Sequence, residues 1–173
     1  MNNRTQFLTR TALLLAVAIA FQIFGRFIPY NQFIVGPIVN AVLIVATYTA
    51  GIWSGTSIAV IAPLVSAFTN KAAIAPLIIA FSPFIIIGNF IIVLAFYLLR
   101  KKNRYVGVAA GAVCKFAFLY AAISVFTSVV EMKPQVAVTL TGLFSWSQLL
   151  TAVIGGILAL VIIKLAGKSL EQK

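Results

Sequence analysis

The sequence predicts an all-α integral membrane protein, a six-transmembrane-helix bundle with residues 1–173 in one membrane domain and both termini cytoplasmic. Three observations point there. Of 173 residues, 62% are hydrophobic and 9% charged, whereas soluble domains run near 45–50% apolar and about 25% charged. The apolar residues gather into six stretches, each close to the ~20 residues that cross a hydrocarbon layer of roughly 30 Å. The charge is lopsided as well, with 13 Lys and Arg against two acids, Glu131 and Glu171.

The first span runs from about Phe7 to Phe27. Its long apolar stretch ends in Phe27-Ile28-Pro29-Tyr30 rather than in small residues, which argues against a cleaved leader. The second covers about Ile34 to Ala50 and the third about Ile52 to Phe68. The fourth, about Ala73 to Leu99, contains Pro76 and Pro83; each removes an amide donor and clashes with the preceding turn. A kinked or interrupted helix is expected, of the kind tolerated where freed backbone groups line a cavity. The fifth, Tyr105 to Thr127, follows the basic run Arg100-Lys101-Lys102-Asn103-Arg104, and the sixth spans about Leu143 to Leu165.

Orientation follows from the cations, because cytoplasmic loops carry the excess of Lys and Arg. With both termini inside, the cytoplasmic ends hold Arg4, Arg10, Arg100, Lys101, Lys102, Arg104, Lys164, Lys168 and Lys173. The outer ends hold Arg26, Lys71 and Lys133. The basic balance is therefore topological, and no nucleic-acid partner is expected.

Composition also excludes chemistry. The chain has no His and no Asp, so proton relays, Ser-His-Asp hydrolysis and paired-acid catalysis lack their residues. No enzyme activity, metal or cofactor is expected. Cys114 has no disulfide partner and reads as a small core hydrophobe. A phosphate-binding P-loop is missing too, since the position five residues before Gly167-Lys168-Ser169 is Ile162. Uphill transport would draw its energy from another subunit, although sodium coupling through backbone carbonyls stays open.

The remaining cation, Lys115, lies about ten residues into the fifth span, roughly 15 Å from its start at 1.5 Å per residue. A charge at that depth costs several kcal/mol unless paired or wetted. No span contains a carboxylate. Lys115 either snorkels or donates to carbonyls, or it pairs with Glu131 folded inward from the outer loop, or, more simply, it meets an anion arriving from outside. Gly107, Gly111 and Lys115 recur at i, i+4, i+8 and share a face that lets a neighbouring helix approach closely.

Other polar residues at membrane depth are candidates of the same kind. Asn89 follows Gly88 mid-span, with Ser82 two turns earlier on the same side. Ser145 and Gln148 share a face with Ala152 and Gly155. Each amide serves either a ligand or the neighbouring helix. Trp146 reads as an interface-belt residue or a stacking platform, and Asn40, after Gly36-Pro37, as a brace for the nearby loop. Residues 25–33 form a candidate lid over an opening, and Thr69-Asn70-Lys71 a second edge. Ala12, Ala16 and Ala20 lie at i, i+4, i+8 along the first span, a stripe suited to internal packing or to a partner helix.

Six spans in this length with both ends inside, the run Ala12-Leu13-Leu14-Leu15-Ala16, and the segments Gly36-Pro37-Ile38-Val39-Asn40-Ala41 and Gly88-Asn89 together resemble the substrate-binding S component of an energy-coupling factor (ECF) vitamin transporter of bacteria. That resemblance implies a multi-pass subunit of the bacterial cell membrane. It would contact a transmembrane T component through Ala12 and Ala16, and that component joins two cytoplasmic ATPases. It also implies a ligand near the outer face, held by loops one and three and by the last three spans, which contain Asn70, Lys71, Ser82, Asn89, Lys115, Ser145, Trp146 and Gln148. The expected cargo is a small, anionic vitamin or vitamin precursor. Two other readings stay open at this point, a stand-alone channel or facilitator and a non-transport membrane scaffold.

Overall fold

The computed structural model describes residues 3–25, 27–28, 30–69 and 74–170. They form seven helices: α1 (Asn3–Gly25), α2 (Gln32–Ala50), α3 (Ile52–Thr69), α4 (Ala75–Leu99), α5 (Arg104–Val129), α6 (Pro134–Phe144) and α7 (Trp146–Leu170). By length and composition α1, α2, α4, α5 and the α6–α7 stretch can each cross a bilayer, and α3 is a shorter apolar helix.

Short, specified turns join the helices. Only Gly51 separates α2 from α3, and its φ of 90° is open to glycine but strained for residues with a Cβ. Between α4 and α5, the Asn103 side chain accepts from the Tyr105 and Val106 amides and caps the new helix. Ser145 alone separates α6 from α7, and the joint is laced by side chains. Ser147 Oγ donates to the Gly142 and Leu143 carbonyls, and Gln148 Nε2 donates to Leu143 O.

α6 departs from the sequence expectation, which left residues 128–142 as an outer loop. Pro134 sits in its first turn, where a missing N–H is harmless. Val136, Leu140, Leu143 and Phe144 then form an apolar stripe packed against Phe81, Leu119 and Ile123. The fourth span departs as well, because α4 is continuous. Pro76 lies in its first turn rather than inside it. Pro83 deprives the Ile79 carbonyl of its usual amide donor, and Ser82 Oγ donates to that carbonyl at 2.7 Å. The orphaned group is met within the helix, so the expected interruption does not occur.

α2 is the central helix. Its residues from Asn40 to Thr47 are buried, and it packs against α1, α3, α4 and α7. Closeness to α7 requires Gly155, where an added Cβ would collide with the Pro37 carbonyl oxygen and come within 2.7 Å of Asn40 Cβ. On α5, Gly107, Gly111 and Lys115 are all buried. Cys114, one step round the helix, is exposed rather than in the core, because turning Lys115 inward turns its neighbour out. The largest buried cluster joins α2 to α1, α3, α4, α5 and α7, and the second lies among α4, α5 and α6.

α1 is the least enclosed of the crossing helices. Ala18 is fully buried, whereas Ala12 and Ala16 are exposed and Ala20 is half-buried. The small-residue stripe thus faces away from the bundle over its first turns.

Gly155→Ala should lower stability by about 1–3 kcal/mol through overpacking, read as a lower melting midpoint of the purified protein in detergent. Gly142→Ala, with nothing within 4 Å of the new methyl, should leave the midpoint unchanged or slightly raised. Equal effects at the two positions would contradict the close α2–α7 contact.

Candidate functional site

Between the two apolar clusters lies a cavity of about 770 Å³, within the range of small-molecule sites. All seven helices contribute to its wall, along with Phe27 and Asn31 of the α1–α2 turn and Ile74 just before α4. Its polar part is assembled from three helices around Lys115. The Lys115 ammonium donates to Asn40 Oδ1 on α2 at 2.7 Å and to Asn89 Oδ1 on α4 at 2.8 Å. All three residues are at most 3% exposed. An ammonium only donates, so both amide oxygens must face it. Asn40 is fixed in that pose because its Nδ2 donates to Gly36 O at 3.0 Å.

This arrangement solvates the charge without neutralising it. Two of three ammonium donors meet neutral oxygens, and among the described residues Lys115 has no carboxylate partner. Glu131 is exposed in the α5–α6 connection, and Glu171 lies outside the described residues. A buried cation held by dipoles and lining a cavity is poised for a carboxylate or phosphate, where a charge-assisted hydrogen bond is strongest.

The rest of the wall is mixed. Gln148, Thr151 and Ser147 line it from α7, and Ile78, Ile85 and Phe144 supply apolar surface. At the mouth stand Phe27, Asn31 and Gln32 from the expected lid segment. Gln22, from α1, also lines the cavity, and its Oε1 is buried without a hydrogen-bond partner among the described residues.

Of the residues singled out from the sequence, the cavity brings together Asn89, Lys115 and Gln148. Ser82 is buried but serves the Ile79 carbonyl, and Ser145 is buried at the α6–α7 joint; neither lines the cavity. Trp146 is 59% exposed, its ring 6.0 Å from that of Phe33. Asn70 and Lys71 lie outside the described residues. Asn40 was expected to brace a loop and instead holds the ammonium. Gln22, Ser147 and Thr151 were not selected from the sequence, although each is a polar side chain inside an apolar stretch, the signal that had marked Asn89.

A polytopic helical bundle with a cation at the floor of an internal cavity has the form of a site for a solute within a membrane. The comparisons make the class specific: residues 6–167 match the family model described as ECF transporter, substrate-specific component. The chain belongs to that family. It is a multi-pass membrane protein and the substrate-binding subunit of an ECF transporter, a transport component rather than an enzyme. No curated protein and no solved structure matches the chain.

The three-residue polar floor generates a coupling prediction. Asn89→Leu should destabilise the protein by about 1–3 kcal/mol, because it strips an acceptor from a buried ammonium. In a Lys115→Met background the same substitution should cost at least about 1 kcal/mol less. Thermal or denaturant unfolding of the four proteins measures the difference, and additive effects would mean that the two side chains do not share an interaction.

Proposed function

We propose that this subunit captures a small, anionic vitamin or vitamin precursor in the cavity above Lys115. It then delivers the cargo inward together with a transmembrane T component and two cytoplasmic ATPases of a bacterial cell membrane. The observation that carries the anionic assignment is the Lys115 ammonium, held by Asn40 and Asn89 at a cavity wall without a carboxylate partner among the described residues. A carboxylate or phosphate would complete its coordination and cancel its charge where the dielectric is lowest. Gln22, Gln148 and Thr151 offer hydrogen-bond partners to the polar edges of such a molecule. The isoleucine and phenylalanine wall suits its apolar body.

The remaining assignments rest on surface features. Both termini are placed in the cytoplasm because nine cations then fall on the inner side and three on the outer. The T component is assigned to the exposed side of α1, where Ala12 and Ala16 present a flat surface to a neighbouring helix. The chain has no nucleotide-binding loop of its own, so the driving energy comes from attached ATPases.

Calorimetry of the purified chain against a panel of vitamin carboxylates and vitamin phosphates, each paired with its neutral amide or alcohol analogue, tests the cargo. One acid should bind about tenfold or more tightly than its analogue, and Lys115→Met should remove that preference. A neutral analogue that binds as well as its acid would overturn the anionic assignment. Ala12→Leu with Ala16→Leu should abolish co-purification of ATPases from native membranes and leave the affinity for the cargo intact. Retained co-purification would place the T component elsewhere.

A further inference from the structure

At the opposite end of α2 from the cavity mouth lies a second cleft, of about 500 Å³, lined by Arg10, Tyr48, Thr49, Arg100, Lys101 and Arg104. Its cations come from α1, the α4–α5 turn and α5, and they converge on the last turn of α2. Arg10 Nη1 donates to Thr49 O at 2.8 Å, and Arg100 Nη1 donates to Thr47 O at 2.7 Å and to Tyr48 O at 3.3 Å. The Arg104 guanidinium lies over the Tyr48 ring, 5.0 Å from its centroid. Each of these arginines, although Arg10 and Arg104 are exposed, has a protein group that orients its guanidinium.

Every group that holds them is neutral: three carbonyls and two rings, since the Arg100 guanidinium also lies over the Tyr97 ring, 4.8 Å from its centroid. Glu131 is beyond the far end of α5, a helix of 26 residues, so nearly 40 Å away along the axis at 1.5 Å per residue. Four positive charges therefore crowd one cleft with no carboxylate among its lining residues. The α2 carbonyls engage one nitrogen of Arg10 and one of Arg100, while each guanidinium carries five N–H donors.

We infer that this cleft binds a phosphate group bearing net negative charge. Planar guanidinium forks match phosphate oxygens bidentately. Cations that arrive from several helices suit a tetrahedral anion, whose oxygens point several ways, better than a carboxylate with two oxygens in one plane. The volume exceeds that of a bare phosphate and leaves room for the substituent of an ester. The cleft also sits at the ends of membrane-crossing helices, the depth at which phospholipid headgroups are found, so a lipid headgroup and a soluble phosphate are the two sources of such a group.

Native mass spectrometry of the full chain in uncharged detergent tests the inference, with phosphatidylglycerol, phosphatidylcholine and inorganic phosphate as probes. The protein should retain phosphatidylglycerol about fivefold or more over phosphatidylcholine. Lys101→Gln with Arg104→Gln, both at exposed positions, should bring the two lipids to parity. The charge-matched pair Lys102→Gln with Lys164→Gln, outside the cleft, should keep the preference. Displacement of the lipid by excess inorganic phosphate would assign a soluble phosphate as an occupant, and resistance to it would assign the lipid headgroup. Equal retention of both lipids without any response to phosphate would overturn the site, as would an equal loss in the charge-matched control. So would displacement by a polyglutamate peptide where phosphate has no effect, which would give the cleft to an acidic protein segment.

Discussion

A lone ammonium inside a membrane bundle must be solvated by the protein itself, and much of this structure follows from how that is done. Lys115 needs acceptors, yet the spans contain no acid. Two asparagine oxygens from different helices supply them, which ties α2, α4 and α5 together at one depth. Removing either partner would leave a buried charge short of acceptors, the costly case for polar groups in low dielectric. The same geometry keeps the charge available, since neutral dipoles stabilise an ammonium without cancelling it. A glutamate in place of either asparagine would have closed an internal ion pair and left no charge for a solute to meet.

Packing around this centre is arranged by small residues on one side and by apolar bulk on the other. Gly155 lets α7 approach the backbone of α2 at the level of Asn40. Beyond it, the cluster of Phe81, Leu119, Ile123, Leu140 and Phe144 closes the bundle with help from α6. The cavity occupies the space between, walled by both kinds of surface. α1 contributes Gln22 to that wall while most of its length stays outside the packed core. One helix thus both reaches the candidate cavity and presents an open face.

Much of the fold was legible in the sequence because hydropathy reports membrane-length helices directly. The apolar runs, the inward face of Gly107, Gly111 and Lys115, and the membership of the family could all be read from residue spacing and short segments. α6 was not legible, because Pro134 to Phe144 is too short for a crossing and Gln135, Thr139 and Thr141 interrupt its apolar pattern. Of the kinked or interrupted helix expected from the prolines, the interruption is absent for a local reason: Ser82 meets the carbonyl that Pro83 leaves without its amide donor. The candidate site was legible at its charged centre and less so at its edges. Lys115 and Asn89 are conspicuous at mid-span, whereas the position of Asn40 opposite the ammonium depends on how α2 and α5 pack, which one-dimensional periodicity does not contain.

The middle and the last turn of α2 are fastened to different neighbours. Asn40 is joined to α5 through Lys115, and eight residues further on the carbonyls of Thr47, Tyr48 and Thr49 are gripped by Arg10 and Arg100. At 1.5 Å per residue these attachments are about 12 Å apart along one rod. Sliding that rod by a single turn would unfasten both together, so the bundle resists piecemeal slippage. Any displacement of α2 along its axis would therefore carry the cavity wall and the arginine clamp in step.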